Sequence, residues 1–160
     1  MTAIRQASEQ DLATLPGLEA EADRLFEALG IGPLPAPGSV EELRRARCVL
    51  VAGRPPVGFA RIDHLARTAH LEQLSVHPDA MRQGIGRELL RAACAWAREA
   101  GYRDITLATY RDVPWNGPFY ASEGFVEAGS VDAWYTANGL EPEEAVMGLF
   151  GTRVLMRRVL

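Results

Sequence analysis

A single α+β domain, with a mixed central sheet of about seven strands flanked by helices, is what this 160-residue chain predicts. Three observations lead there. Short β-patterned segments recur from one end to the other, and the middle of the chain runs strand, helix, strand, which demands a right-handed crossover and one parallel pair. No repeat or linker divides residues 1–160, so one domain is expected over the whole length. With 48% hydrophobic and 24% charged residues the composition is that of a folded globular chain, long enough to bury a core without disulfides or metal.

The elements follow in order. Thr2 to Ala7 alternates like a short strand, and Ser8 caps a helix whose pattern runs through Leu12, Leu15, Leu18, Ala22 and Leu25 to Leu29, interrupted near Pro16-Gly17. Residues Gly30 to Gly38 hold three prolines and three glycines, so they form a loop suited to rim a substrate site. Ser39 caps a short helix from Val40 to Ala46, and Cys48 to Ala52 reads as a buried strand. Val57–His64 and His70–Val76 complete a meander. A helix enters at Gly84, keeps Ile85, Leu89, Ala93 and Trp96 on one face, and ends at Gly101. Then come a strand from Asp104 to Thr109, a short helix from Pro114 to Glu123, extended chain from Phe125 to Trp134, a helix start at Glu141-Pro142-Glu143-Glu144, and a last strand from Thr152 to Val159.

Composition also excludes chemistry. All 17 basic residues are arginine, so no side-chain primary amine can form a Schiff base. Cys48 and Cys94 lack partners at metal-ligand spacing and read as packing residues. A net charge of −4 argues against nucleic acid as a partner. No apolar run approaches a membrane span and Met1 to Gln6 lacks the pattern of a secretory signal, so no membrane association and a cytoplasmic location are expected.

The segment with most chemical content is Met81-Arg82-Gln83-Gly84-Ile85-Gly86-Arg87, which follows a strand and opens a helix. Unpaired N–H groups and the positive end of a helix dipole suit a pyrophosphate. The dinucleotide fingerprint is not met, because Leu89 stands where its third glycine belongs, and the Lys and Ser/Thr of a P-loop are missing. Tight-turn glycines are the alternative. Arg82, Arg87 and Arg91 gather here, whereas Glu19, Glu21, Asp23 and Glu27 gather in the first helix. That split suits an anionic cofactor and a cationic substrate, or simply a solvated helix face.

Taken together, Leu74-Ser75-Val76-His77-Pro78 before Gly84-Ile85-Gly86-Arg87, Trp115-Asn116-Gly117-Pro118-Phe119-Tyr120 before Gly124-Phe125, and a closing Arg153 to Arg158 strand resemble the GNAT superfamily of acetyltransferases. The match spans the chain from about the third strand to the end. One position departs: the slot usually held by Gln or Arg at the loop's start holds Met81, with Arg82 beside it. The resemblance implies a sheet splayed between its fourth and fifth strands, acetyl-CoA (coenzyme A) as the cofactor, and acetyl transfer to a primary amine of a small molecule or peptide by direct attack. It implies pyrophosphate contacts from the amides of Arg82, Gln83, Gly84, Gly86 and Arg87, and pantetheine contacts from the main chain of Leu74 and Val76.

In the same reading Tyr120 is the general acid for the departing thiolate, a packed tyrosine with a satisfied hydroxyl being the alternative. Asn116, one turn before it, either bonds the cofactor or caps the helix. Glu72, two residues before Leu74 and hence expected on its face, is the candidate base, or an ordinary strand acid. His64 and His70 flank a turn and are expected to be exposed and idle, and His77 to serve local turn geometry. Trp134, Tyr135 and Phe150 fall where relatives build part of the acceptor pocket, core packing being the alternative and the favoured one for Phe150. The alternative from another class is a non-catalytic acyl-CoA-binding or sensing module, and a homodimer through the closing strand is compatible with the pattern.

Overall fold

The computed structural model of the chain describes residues 2–140, 147 and 150–160. Seven strands, β1 (Ile4–Gln6), β2 (Cys48–Ala52), β3 (Gly58–Leu65), β4 (Thr68–Val76), β5 (Asp104–Tyr110), β6 (Val126–Glu127) and β7 (Arg153–Val159), form one sheet in the order β1-β2-β3-β4-β5-β7-β6. All neighbours are antiparallel except β4 and β5, the two strands joined by the crossover helix. Helices α1 (Glu9–Leu12), α2 (Leu15–Glu27) and α3 (Val40–Arg45) precede β2, α4 (Ile85–Glu99) is the crossover, and α5 (Gly117–Ser122) and α6 (Val131–Ala137) follow β5. Among the described residues no helix is long and apolar enough to cross a membrane.

Two apolar layers hold the sheet. On one face α4 sets Ile85, Leu89, Leu90, Ala93 and Ala97 against Ala60, Ile62, Leu71, Ile105 and Leu107. On the other, Leu12, Leu15, Leu18 and Leu43 cover Val49, Val51 and Phe59. β2 is therefore buried on both faces, which is why its sequence is an unbroken apolar run.

The first turn is tied to the sheet by charge. The Ser8 hydroxyl accepts from the Asp11 N–H at 3.3 Å, and the Asp11 carboxylate accepts from the Ser8 N–H at 2.7 Å, forming a capping box. Arg5 donates to the same carboxylate at 2.5 and 3.0 Å and to the Gly53 carbonyl at 3.0 Å. The Arg5 bond holds the Asp11 carboxyl well below the usual carboxylate range. Asp11→Ala is expected to cost about 2 kcal/mol of unfolding free energy at pH 7. Because the folded carboxyl titrates below the unfolded one, that contribution is complete above about pH 4 and shrinks as pH falls further. Urea midpoints of parent and variant at pH 7 and pH 3 check this: the gap must narrow at the lower pH.

Several expectations are corrected. The break in the first helical region falls at Ala13-Thr14, ahead of Pro16, because proline is accommodated in the first turn of α2 where its missing N–H leaves no bond unmade. The stretch from Phe125 to Trp134 is extended only at β6. There Ser130 accepts from the Ala133 N–H at 3.3 Å and starts α6, a cap that outweighs the β-leaning residues before it. His70 is buried, not exposed, with Nδ1 2.9 Å from the Thr106 hydroxyl and its ring stacked on Trp134 at 5.2 Å. The helix start at Glu141-Pro142-Glu143-Glu144 lies outside the described residues.

Candidate active site

Strands β4 and β5 pair only at Ala69 with Ile105 and at His70 with Thr106, although both continue, to Val76 and Tyr110. Beyond His70 they part, as the resemblance implied, and a cleft of about 1540 Å³ opens there. Among the described residues, the edge of β4 that faces the cleft has no strand partner past that point, so its main-chain groups are available for hydrogen bonds.

A 3₁₀ turn (Pro78–Ala80) leads from β4 into the glycine loop, and the His77 ring serves that turn by accepting from the Asp79 N–H at 3.1 Å. Arg82 and Gly84 both take left-handed backbone, with φ of 64° and 81°. The first main-chain bond of α4 runs from the Glu88 N–H to the Gly84 carbonyl at 3.0 Å, which leaves the N–H groups of Ile85, Gly86 and Arg87 ahead of the helical ladder. Left-handed residues next to a helix start turn successive N–H groups into a concave anion site. Arg82, Gly84, Gly86 and Arg87 line the cleft, whereas Gln83 is exposed and does not.

The basic cluster read from the sequence is largely spoken for. Arg91 donates twice to Glu123, at 2.9 and 3.1 Å, and Arg87 lies 3.2 Å from the same carboxylate and over the Phe119 ring. These pairs fasten α4 to α5. Their joint effect, led by Arg91, keeps the Glu123 carboxyl below its ordinary range.

Leu74 and Val76 of β4 line the cleft, as do Asn116 and Tyr120 at α5. Tyr120 is packed edge-on between Phe119 and Phe125, at centroid distances of 5.2 and 5.8 Å. Its hydroxyl has no hydrogen-bond partner among the described residues, and no fully buried side-chain polar atom there lacks one, so the hydroxyl is reached from the cleft. Burial raises its pKa, with Arg153 opposing. Asn116 stands at the N-cap of α5 but makes no capping bond with its side chain; its Oδ1 accepts from the Thr109 hydroxyl at 2.5 Å.

The opposite wall is acidic. Glu72 lines the cleft, but on a different face from the one its spacing suggested. Arg61 pairs with Gln73 and Ile62 with Leu71, so Glu72 is the extra residue of a β-bulge that resets the alternation. The Leu74 side chain packs with the α4 layer, while Glu72 lies 3.6 Å from the His70 Nε2 on the α2 side. Glu19 and Asp23 of α2 join it in the cleft wall, together with Arg61 and the loop residues 33–38, which do rim the site. Glu19 is 9% exposed. Burial, then the charge of Asp23, raises its pKa to about 7, and burial raises that of Asp23 to about 6. Burial likewise lowers His70 to about 4, so its ring is neutral at pH 7.

In the sequence these acids are part of the first helix's charge run, with no motif to place them at a site. The periodicity still carried a signal: Glu19 and Asp23 are four residues apart and flank the buried Leu15, Leu18 and Ala22, so they border the apolar stripe of α2. Glu21 instead pairs with Arg24 on the exposed side. Of the late aromatics, Tyr135 lines the cleft, Trp134 stacks on His70, and Phe150 packs beside Ile31, Tyr110 and Val113.

The chain was compared with proteins of known family and structure. Residues 45–127, more than half of the chain, match the family model described as an acetyltransferase (GNAT) domain. Among solved structures, the PaiA N-acetyltransferase of Thermoplasma acidophilum in complex with coenzyme A superposes with a TM-score of 0.71 at 20% identity, covering 100% of this chain and 99% of its own. The ribosomal-protein-S18-alanine N-acetyltransferase of Escherichia coli gives 0.72 at 19% identity, covering 99% and 94%. Rv2747 of Mycobacterium tuberculosis in complex with CoA and NLQ gives 0.71 at 16% identity, covering 99% of each. With a splayed sheet, a glycine loop at the head of α4 and this sequence match over the segment that builds both, the chain belongs to the GNAT acetyltransferase family.

Proposed function

We propose that the protein transfers an acetyl group from acetyl-CoA to a primary amine of a small molecule or peptide, by direct attack of the amine. The observation that carries this reading is the single cleft that joins the concave N–H loop, the unpaired edge of β4 and the Tyr120 hydroxyl. These groups fit coenzyme A along its length. Main-chain N–H groups from Arg82 to Arg87 suit the pyrophosphate, and the free edge of β4 at Leu74 and Val76 suits pantetheine as an added strand would. Asn116 offers a side-chain amide beside the sulfur end. That structural neighbours were solved with coenzyme A supports the same donor.

Acetyl-CoA supplies an acyl carbon already activated as a thioester. The chain's own residues then do three things. The Leu74 N–H polarises the carbonyl oxygen, Tyr120 gives its proton to the departing sulfur, and a carboxylate of the acidic wall takes a proton from the amine. Glu72, the candidate named by the sequence, and Glu19 both stand on that wall.

The direct test is release of free thiol from acetyl-CoA across a panel of small and peptidyl amines. Amine-dependent release is expected; binding of acetyl-CoA with no release on any amine would make the protein a sensor. A companion prediction concerns the loop. Gly84→Ala places a side chain at φ 81°, which costs about 1–2 kcal/mol in the loop's bound shape. The expected result is a KM for acetyl-CoA raised roughly 5- to 30-fold, read from initial rates, with kcat largely kept.

A further inference from the structure

We propose that Glu19 is the base of this reaction, its carboxylate taking the proton from the incoming ammonium directly or through one water. This role presupposes the acetyl-transfer reading and deepens it by naming the proton acceptor. Glu19 is the acid of the cleft wall that the fold has enclosed: the residue is 9% exposed, whereas the Glu72 side chain is 38% exposed. Glu19 lines the same cleft as Gly38 of the loop that rims the site, whose backbone eases ionisation of the carboxyl. That loop is packed closely here, since a Cβ on Gly38 would lie 3.1 Å from the Arg61 guanidinium and 3.7 Å from the Glu42 carboxylate.

The charged groups that act on Glu19 lie on α2, β4 and β3. Asp23 lies one turn on along α2, Glu72 on the bulge of β4 and Arg61 on β3. Arg61 is itself held by Asp63 at 2.9 Å and by Glu42 of α3 at 3.6 Å, so its charge is mostly balanced elsewhere. Burial and two carboxylates thus oppose ionisation of Glu19, while the Gly38 backbone and one partly compensated guanidinium favour it. A carboxyl so placed titrates near neutrality, where a base is most useful. Position along the sheet agrees as well: Glu72, which faces Glu19, is two residues from Leu74, about 7 Å of strand from the N–H assigned to the carbonyl. The bulge gives Glu72 its own part, as a positioning charge that keeps Glu19 basic.

One ammonium proton passes to a Glu19 oxygen and on to solvent, leaving a neutral amine. Its lone pair forms the C–N bond, the C–S bond breaks with its electron pair on sulfur, and sulfur takes the Tyr120 proton. The surplus proton on nitrogen then returns to the Tyr120 oxygen. One ammonium and one thioester become one amide, one thiol and one released proton.

The experiment combines pH profiles of kcat/KM with carboxyl NMR of the ¹³C-glutamate-labelled full chain. Expected for the parent are an acid limb near pH 7 and one glutamate carboxyl titrating at the same pH. Glu19→Gln should remove that signal, abolish the limb and lower kcat/KM at pH 7 by about 100-fold or more. Glu72→Gln and Asp23→Asn should keep both features and move them to lower pH, because each removes a negative charge. A limb unchanged in Glu19→Gln, or one lost in Glu72→Gln, overturns the assignment while leaving acetyl transfer intact. The absence of any glutamate titrating above the ordinary carboxylate range overturns it without reference to activity. A folded parent that acetylates no amine in the panel overturns the acetyl-transfer reading and the base with it.

Discussion

Tyr120→Phe should lower kcat by about 10²–10⁴-fold at pH 7 and leave the KM for acetyl-CoA within about twofold. The hydroxyl is the only part removed. Phenylalanine keeps the ring in its bed between Phe119 and Phe125, and no hydrogen bond among the described residues is lost, since the hydroxyl makes none there. Burial keeps the phenol protonated through the neutral range, which is the state a general acid must start from. Thermal melting should therefore match the parent within about 0.5 kcal/mol, which separates a chemical defect from a folding one. A variant that turns over at the parental rate would strike Tyr120 from the mechanism.

The second large effect concerns the backbone that carries Tyr120. In Gly117→Ala the added Cβ would overlap the Arg111 carbonyl oxygen and lie 2.9 Å from its carbonyl carbon and 3.0 Å from its Cα. These are main-chain atoms at the end of β5 and cannot swing aside, so α5 must move off the sheet. Overpacking of this kind costs about 3 kcal/mol, which for a chain of this size lowers Tm by roughly 6–12 °C. Asn116 and Tyr120 lie on either side of Gly117, and a shift of about 1 Å at a reacting group can cost about 10²-fold in rate. Calorimetry and initial rates on the same preparation should show both losses. Gly17→Ala, whose Cβ meets nothing within 4 Å on the exposed side of α2, is the control and should melt at or above the parent. Parental stability in Gly117→Ala would show that α5 is held less rigidly than its contacts imply.

Most elements were legible because their signals are local. Ser8 and Ser39 cap the helices they were expected to cap, the apolar period of α4 runs from Ile85 to Ala97, and the unbroken run of β2 reflects burial on both faces. The errors arose where distant partners decide. Nothing near Glu72 in sequence marks the bulge, because it arises from the pairing of β3 with β4. His70 is buried because Trp134, far along the chain, stacks on it. The arginines near the glycine loop looked available for an anion, yet Arg87 and Arg91 are bound to Glu123, more than thirty residues away.

The same division holds for the site. The sequence by itself determined where the proposed donor half lies: a strand, a glycine loop and a helix start are contiguous, and main-chain N–H groups so placed suit an anion without help from a distant residue. It also singled out Tyr120, the proposed general acid, through the motif around it. Only the tertiary structure decided the proposed acceptor half, where α2, the loop at residues 33–38, the bulge of β4 and Arg61 of β3 meet. A carboxylate such as Glu19 is fitted for the proposed base role through enclosure and through neighbours on other elements, and both are properties of the assembled fold.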